Sequence, residues 1–177
     1  IDTAWLWTYR ETRRKIRRSW ASQLAYLEEY PDFKFVISQA SQLAWLEEDD
    51  PELFVRVCAA VEAGQFIVTG GTWVEMDANV SSSESFSRQF LLGKSHHSRS
   101  PCFVSVLQRW FTVVVRLCTG QRYFQSKFGE RSDIFWLPDT FGYSSQIPQL
   151  CRLADMKYFM TQKLSSSEVN RIPHNTF

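Results

Sequence analysis

The chain has 177 residues, of which 44% are hydrophobic and 15% aromatic, a composition typical of a globular domain that buries its own core. The formal net charge of +1 gives no electrostatic reason to expect a nucleic acid or an anionic membrane as a partner. The longest apolar stretch, residues 102–118, contains Arg109 and Arg116 and is too short and too charged to cross a bilayer.

Helical and extended patterns alternate along the first half of the chain. Residues 1–5 have the pattern of the end of a buried strand. A capping box of Thr8 and Glu11 then predicts a helix start, and apolar residues at helical spacing continue to about Tyr30. The next predicted elements are a strand over 33–38, a helix over 40–48, a helix from Asp50-Pro51 to Gly64, and a strand over 65–69.

The second half repeats this alternation. Its predicted elements are an extended segment over 72–76, a helix over 83–93, a strand over 134–137, a helix over 146–154 and a strand over 158–161. Strands separated by helices predict parallel β/α units and therefore an α/β fold. We expect an incomplete β/α barrel, truncated at both ends, whose chemistry lies at the carboxyl ends of its strands.

One internal segment, residues 94–120, differs from its surroundings. It contains no acidic residue, although the whole chain has 19, and it includes a run of three β-branched residues over 113–115. Its removal on paper would place Phe90 and Phe124 seven positions apart in one amphipathic helix. We therefore interpret 94–120 as an aberrant insertion in a single domain over 1–177, with a natural loop insertion as the alternative.

The four cysteines give information about the cellular compartment but do not indicate a metal-binding or redox site. They lie at no Cys-x-x-Cys spacing, which excludes a zinc ribbon and a redox motif. Scattered cysteines in a chain of this length favour reduced thiols. We expect a cytoplasmic protein, with the vacuole or lysosome as the alternative.

Asp139 is the first candidate for chemistry. It follows the apolar strand 134–137 directly after Pro138, so its carboxylate would point into the mouth of a barrel. Phe141 and Tyr143 flank it, and aromatic faces suit the apolar face of a sugar ring. An aspartate that only caps the turn is the alternative at this position.

Further carboxylates stand at comparable places. Asp2 follows Ile1 at the end of the first predicted strand, with Trp5 close behind, and two strand-end aspartates can converge on one metal or one anomeric carbon. Alternation puts Glu75 and Asp77 on one face of an extended segment, where they would line the mouth or simply face water. The three histidines, His96, His97 and His174, show no ligand spacing, so spacing alone does not indicate a zinc site.

Three motifs together resemble glycoside hydrolase family 38, in its cytosolic and vacuolar α-mannosidase branch. They are Ile-Asp-Thr-Ala-Trp-Leu-Trp over 1–7, Gly-Gly-Thr-Trp-Val-Glu-Met-Asp over 70–77, and Phe-Trp-Leu-Pro-Asp-Thr-Phe-Gly-Tyr over 135–143. The resemblance covers 1–93 and 121–177. It implies a seven-stranded β/α barrel and a retaining hydrolase that removes terminal α-mannosides from oligosaccharides.

The resemblance also implies site residues. Asp139 matches the family nucleophile, which is at the same time a metal ligand, and Asp2 matches a second ligand. Trp5 and Phe141 match aromatics that line the sugar site. The family metal is zinc, with cobalt as a substitute in the cytosolic branch. The implied partner is a mannose-containing oligosaccharide, and the parent protein is expected to be a homo-oligomer.

This sequence departs from the family pattern in three places. Two of the four family ligands, both histidines, and the acid/base carboxylate have no counterpart in the chain, and zinc normally needs three protein ligands. We therefore expect the fragment itself to be inactive. The alternatives are a non-catalytic product that binds carbohydrate or nothing, and a metal-dependent sugar deacetylase, which would require a histidine pair.

Overall fold

The computed structural model describes residues 1–90, 120–165 and 169, in which helices alternate with strands. In chain order the elements are α1 (Tyr9–Glu29), β1 (Phe35–Gln39), α2 (Ala40–Asp49), α3 (Pro51–Glu62), β2 (Phe66–Thr72), α4 (Ser83–Phe90), α5 (Gly120–Phe128), β3 (Ile134–Trp136), α6 (Ile147–Leu153) and β4 (Tyr158–Met160), followed by a 3₁₀ turn (Lys163–Ser165). None of the described helices combines the length and the apolar character that a membrane span requires.

The strands form two parallel pairs. β1 pairs with β2 in a register that places Phe35 opposite Phe66, and β3 pairs with β4. β2 also lies beside β3, where the hydroxyls of Thr69 and Ser132 are 3.3 Å apart. The four strands therefore follow one another in chain order with helical connections between them, which confirms an α/β fold with parallel strands. These four strands do not close into a barrel.

The larger of two cores lies under α1. Apolar residues at helical spacing put one buried stripe on this helix, and the stripe packs on α2, α3 and β2. The ring of Trp20 meets that of Phe66 edge to face, with centroids 6.1 Å apart. Full burial of such a side chain is worth about 1.5–3 kcal/mol, so this packing, and not helix propensity alone, fixes α1. The stripe consists of Ile16, Trp20, Leu24 and Leu27.

The smaller core lies between β3, α6 and the segment after β2. Phe135 and Leu137 are fully buried there, and the Phe135 ring stacks on Phe159 with centroids 5.3 Å apart. Burial raises the pKa of the Cys151 thiol to about 12, so this cysteine is an inert core residue. The small core therefore holds the ends of β2 and β3 in place.

The predicted helix starts are confirmed by their capping contacts. The Thr8 hydroxyl accepts a hydrogen bond from the Glu11 amide at 3.4 Å. The Asp50 carboxylate accepts one from the Leu53 amide at 3.1 Å, and Pro51 occupies the first turn of α3. Each side chain satisfies an amide that has no partner inside its helix.

Two sequence expectations are wrong. Residues 1–5 are not a strand, because the carbonyl oxygen of Ile1 accepts hydrogen bonds from the side-chain amides of Gln39 and Gln42 and not from a neighbouring strand. The extended segment predicted over 72–76 belongs to β2 only at Thr72; residues 73 and 74 form a bend, and residues 75 and 76 belong to no strand.

The proposed insertion over 94–120 lies outside the described residues, apart from Gly120, which begins α5. A Cβ atom at Gly120 would stand 2.2 Å from the backbone of Thr72, so only glycine allows this close contact between α5 and β2. That 94–120 is an aberrant insertion stays a prediction.

Candidate active site

The carboxyl ends of the four strands carry polar side chains, of which Glu75 and Asp139 were predicted from the sequence. Gln39 ends β1, Glu75 follows β2, Asp139 follows β3 and Lys163 follows β4. In parallel β/α folds this edge of the sheet is where ligands bind. We refer to these four residues and residues 1–8, which contact Gln39, as the strand-end edge.

The loop that carries Asp139 is tied to both strands of its sheet. The Leu137 amide donates to the carbonyl of Met160 at 2.9 Å. The Tyr143 hydroxyl donates to the Leu137 carbonyl at 2.8 Å and accepts from the Thr161 hydroxyl at 2.5 Å. These contacts fix the backbone on both sides of Asp139, so its carboxylate has a defined position.

Gly142 lies in the loop of Asp139, close to the loop that follows β2. A Cβ atom at this position would lie 1.9 Å from the side-chain nitrogen of Asn79. The absence of a side chain therefore lets the Asp139 loop close onto the loop that follows β2.

The Asp139 carboxylate forms an ion pair with Lys163, in which Oδ1 and Nζ are 2.6 Å apart. The hydrogen bond and the charge of Asp139 raise the pKa of Lys163. Asp139 is about half exposed at 53%. The alternative of a turn-capping aspartate is not supported, because the contact that the structure gives this carboxylate is with a side chain of another strand end.

Asp2 lies in a segment that is held by its neighbours. The Ile1 carbonyl is bound by Gln39 and Gln42, and the Thr3 hydroxyl donates to Gln39 Oε1 at 3.0 Å. The Ala4 amide donates to the Thr12 hydroxyl at 3.0 Å. The Asp2 side chain itself is exposed, so its carboxylate is available to a ligand at the end of β1.

Glu75 is the half-buried carboxylate of the strand-end edge. Its Oε1 accepts a short hydrogen bond from the Ser38 hydroxyl, and its backbone amide donates to Gln39 Oε1 at 3.3 Å. Burial raises the pKa of Glu75, and the hydrogen bond from Ser38 opposes that rise.

Gly70 explains how Ser38 reaches this position. It has a φ of +89°, and a Cβ atom there would lie 2.6 Å from the Ser38 carbonyl oxygen. The glycine therefore allows β2 to approach β1 closely where the register shifts.

The expectation that Glu75 and Asp77 share one face stays a prediction, but the two carboxylates make different contacts. The Asp77 carboxylate turns back and accepts hydrogen bonds from the amides of Asn79 and Val80, at 2.8 and 3.0 Å. Asp77 is thus a turn residue. Glu75, in contrast, contacts Ser38 near the end of β1.

The two predicted sugar-binding aromatics lie on the surface. Trp5 is 60% exposed and Phe141 is 89% exposed. Trp5 meets Trp7 edge to face with centroids 5.7 Å apart, and Lys163 Nζ lies 5.8 Å from the Phe141 ring centroid. Both rings are therefore available to a ligand.

The described residues do not complete a zinc site. Among them no three His, Cys, Asp or Glu side chains lie close enough together to hold a metal ion. Asp2 and Asp139 supply two carboxylates, and Lys163 engages one of them. Zinc sites in proteins have at least three protein ligands, so these residues alone do not fit the metal. The three histidines fall outside the part of the chain that the structure describes.

Sequence reasoning missed Ser38, Gln39 and Lys163. Ser38 and Gln39 end a strand just as residues 137–139 do, so the strand-end rule that selected Asp139 would have found them. Lys163 carried no comparable signal, because its ion pair depends on how the chain folds after β4.

Comparison with known proteins identifies similar sequences along the whole chain. The model of the glycosyl hydrolases family 38 N-terminal domain matches residues 1–100 and 105–177. Alpha-mannosidase of Saccharomyces cerevisiae is 49% identical over 178 residues, alpha-mannosidase G of Dictyostelium discoideum 44%, and human alpha-mannosidase 2C1 43%, the last two over 177 residues. Each match covers 100% of this chain and 14% of the relative, so the chain spans only a small part of their length.

A solved structure resembles the fold. The crystal structure of an alpha-mannosidase from Enterococcus faecalis V583 superposes with a TM-score of 0.63 and 23% sequence identity. The superposition covers 86% of this chain and 14% of that one. At this identity the likeness supports the fold alone.

Proposed function

The chain belongs to glycosyl hydrolase family 38, and we propose that it is part of the catalytic domain of an enzyme that hydrolyses terminal α-D-mannosides in free oligosaccharides or glycans. The observation that carries this proposal is that the loop of Asp139, directly after β3, is held to β4 and Thr161 through Leu137 and Tyr143 and leaves the Asp139 carboxylate about half exposed. The curated relatives are named as alpha-mannosidases, which supports the choice of sugar.

We further propose that the reaction retains the anomeric configuration. Asp139 would attack the anomeric carbon as the nucleophile and form a covalent mannosyl ester, and a second carboxylate would protonate the leaving group and then activate water. The fixed loop around Asp139 supports this role, because a nucleophile must be held near its reacting atom. Trp5 and Phe141 would bind the apolar face of the sugar.

Zinc, with cobalt as a substitute, is proposed as the metal of the longer protein. Its chemistry would be to bind sugar hydroxyls and favour the charged transition state. Asp2 and Asp139 could supply two ligands, and the remaining ligands would have to come from residues outside the part of the chain that the structure describes. Equilibrium dialysis with zinc tests this: the 177-residue chain should bind weakly, and a protein extended to the length of its relatives should bind tightly.

The 177-residue chain would be an incomplete and inactive part of the catalytic domain. The four parallel strands, in chain order, would form part of a seven-stranded β/α barrel in the complete domain. The chain alone would be inactive, because it would lack metal ligands and the acid/base carboxylate. We place the protein in the cytoplasm, in keeping with buried thiols at Cys58 and Cys151.

The two alternatives from the sequence are not favoured. A sugar deacetylase would need a histidine pair at its metal, and the described strand-end edge carries carboxylates and a lysine instead. A purely carbohydrate-binding product would not require an anchored nucleophile loop, and the relatives reported above are all named as hydrolases.

The experiment that tests the proposal compares two proteins on 4-nitrophenyl α-D-mannopyranoside, with zinc or cobalt added. One is this chain and the other is a protein extended to the length of the relatives. The extended protein should release nitrophenol and give the α-anomer of mannose first, as followed by proton NMR. Release of the β-anomer first would contradict the retaining mechanism, and activity in the short chain would contradict its proposed inactivity.

A further inference from the structure

Gln39 is a buried amide at the carboxyl end of β1. Its side chain is 6% exposed and makes hydrogen bonds to two separate segments of the strand-end edge. A buried amide normally has its hydrogen bonds satisfied, and here all of the partners lie on segments that carry candidate site carboxylates.

The first segment contains Asp2. Gln39 Nε2 donates to the Ile1 carbonyl at 3.4 Å, and Gln39 Oε1 accepts from the Thr3 hydroxyl at 3.0 Å. These two contacts hold the residues immediately before and after Asp2. The position of the Asp2 backbone is therefore defined relative to β1, although residues 1–5 form no strand.

The second segment contains Glu75. Its backbone amide donates to the same Gln39 Oε1 at 3.3 Å, while the preceding residue on β1, Ser38, binds the Glu75 carboxylate. One oxygen atom of Gln39 thus accepts hydrogen bonds from both carboxylate-bearing segments. An amide suits this place because it accepts on one side and donates on the other, whereas a carboxylate could only accept and would add negative charge.

We propose that Gln39 is a positioning residue, which ties the Asp2 segment to the Glu75 segment and so sets the spacing of their carboxylates at the sugar site. That the site binds a sugar rests on the proposed function, but the hydrogen bonds by which Gln39 joins the two segments do not depend on it. Gln39 is not expected to touch the substrate. Its loss would act through the displacement of Asp2 and Glu75.

Gln42 provides a matched control. It lies one helical turn further along, is also 6% exposed, and donates to the same Ile1 carbonyl at 2.7 Å. Of the two amides, Gln39 carries the additional hydrogen bonds to Thr3 and Glu75. Replacement of either glutamine by methionine keeps a similar shape and removes the polar atoms. Comparison of the two variants therefore distinguishes the loss of the link between the two segments from the general loss of a buried amide.

The test introduces Gln39→Met and Gln42→Met into the protein extended to the length of its relatives. Hydrogen exchange followed by mass spectrometry is measured over residues 1–8 and 73–80. Gln39→Met should speed exchange in both segments, and Gln42→Met only in the first. If residues 73–80 exchange in Gln39→Met as slowly as in the unsubstituted protein, the proposed tie is wrong.

Kinetics on the nitrophenyl mannoside supply the second readout. Gln39→Met should lower kcat about 10- to 100-fold, since small misplacement of site groups has effects of this size. Gln42→Met should lower kcat by less than Gln39→Met, because it leaves the Glu75 segment held, and the two variants should have similar thermal midpoints. Equal losses of kcat in both would overturn the positioning role. If the unsubstituted protein hydrolyses no mannoside, the proposed function fails, and the exchange data still decide whether Gln39 ties the two segments.

Discussion

The core under α1 and the strand-end edge are built by opposite rules. The core buries apolar side chains such as Ile16 and Leu43 completely, and its free energy comes from non-directional burial. The strand-end edge holds Asp2, Glu75 and Asp139, three negative groups that gain nothing from one another and are held by specific hydrogen bonds and one lysine. Stability should therefore depend on the first region and chemistry on the second, with little overlap.

The largest expected effect is a loss of catalytic activity that leaves the stability of the fold unchanged. Asp139→Asn keeps the size of the side chain and removes the proposed nucleophile, so kcat/KM on the nitrophenyl mannoside should fall by about 10⁴-fold or more. The thermal midpoint should hardly change, because the carboxylate is half exposed. The control is Asp77→Asn, which keeps the turn contact. If Asp139→Asn retains more than a tenth of the activity, Asp139 is not the nucleophile.

The second prediction is a loss of stability caused by a substitution far from the candidate active site. Ile16→Ala empties space in the core under α1, where Ile16 is 0% exposed, and should lower the free energy of unfolding by about 2–5 kcal/mol. The exposed Arg18 on the same helix is the control, since Arg18→Ala should change it by less than about 0.5 kcal/mol. Urea unfolding at 25 °C measures both. Equal changes in the two variants would contradict the burial assigned to α1.

A smaller effect is expected at the exposed aromatics. Phe141→Ala should raise KM about 3- to 10-fold with little change in stability, because its ring is 89% exposed and has a sugar face as its proposed partner. The KM of Phe141→Leu should lie between those of the unsubstituted protein and Phe141→Ala. An unchanged KM in the alanine variant would remove Phe141 from the proposed sugar site.

The smallest expected effect is a pH dependence of stability that arises from Glu75 in the strand-end edge. The folded state holds the Glu75 proton more tightly than the unfolded chain, because burial raises the pKa of Glu75 above its ordinary value of 4.5. Stability from this group is therefore lost as the pH rises from 4.5 through the raised pKa. Glu75→Gln should give a slightly higher thermal midpoint than the unsubstituted chain at pH 7.

The advantage of Glu75→Gln should shrink as the pH is lowered toward 4.5, where the native carboxyl becomes protonated as well. Scanning calorimetry between pH 4.5 and 7 follows this difference, and Glu52→Gln on the exposed start of α3 serves as the control. A midpoint difference that stays constant with pH would contradict the shift assigned to Glu75.

The fold was largely predictable because its signals are local. The periodicity of Ile16, Trp20 and Leu24, the capping pair at Thr8, and the Asp50-Pro51 start each depend on residues within a few positions. The strand that precedes Asp139 was equally visible. The failure at residues 1–5 has a non-local cause, since the amides that bind Ile1 come from the end of β1 and from α2.

The candidate site was predictable only in part. Asp2 and Asp139 could be selected because each follows an apolar segment, but the contacts that hold their segments, from Gln39 and Tyr143, depend on tertiary structure. Glu75 and Asp77 looked equivalent in sequence and differ in their partners, because Glu75 binds Ser38 from the neighbouring strand and Asp77 binds the amide of Asn79 in its own turn. The position of Gln39 at a strand end was visible in the sequence, but its contacts with Thr3 and Glu75, like the ion pair of Lys163 with Asp139, depend on tertiary structure.

The most direct test of the central claim is to trap the covalent intermediate. The extended protein is incubated with a 2-deoxy-2-fluoro mannosyl fluoride, digested, and mapped by tandem mass spectrometry. The account predicts one added fluoromannosyl group on the side chain of Asp139 and loss of activity in proportion to labelling. A label on Glu75 or on another carboxylate, with Asp139 unmodified, would contradict it.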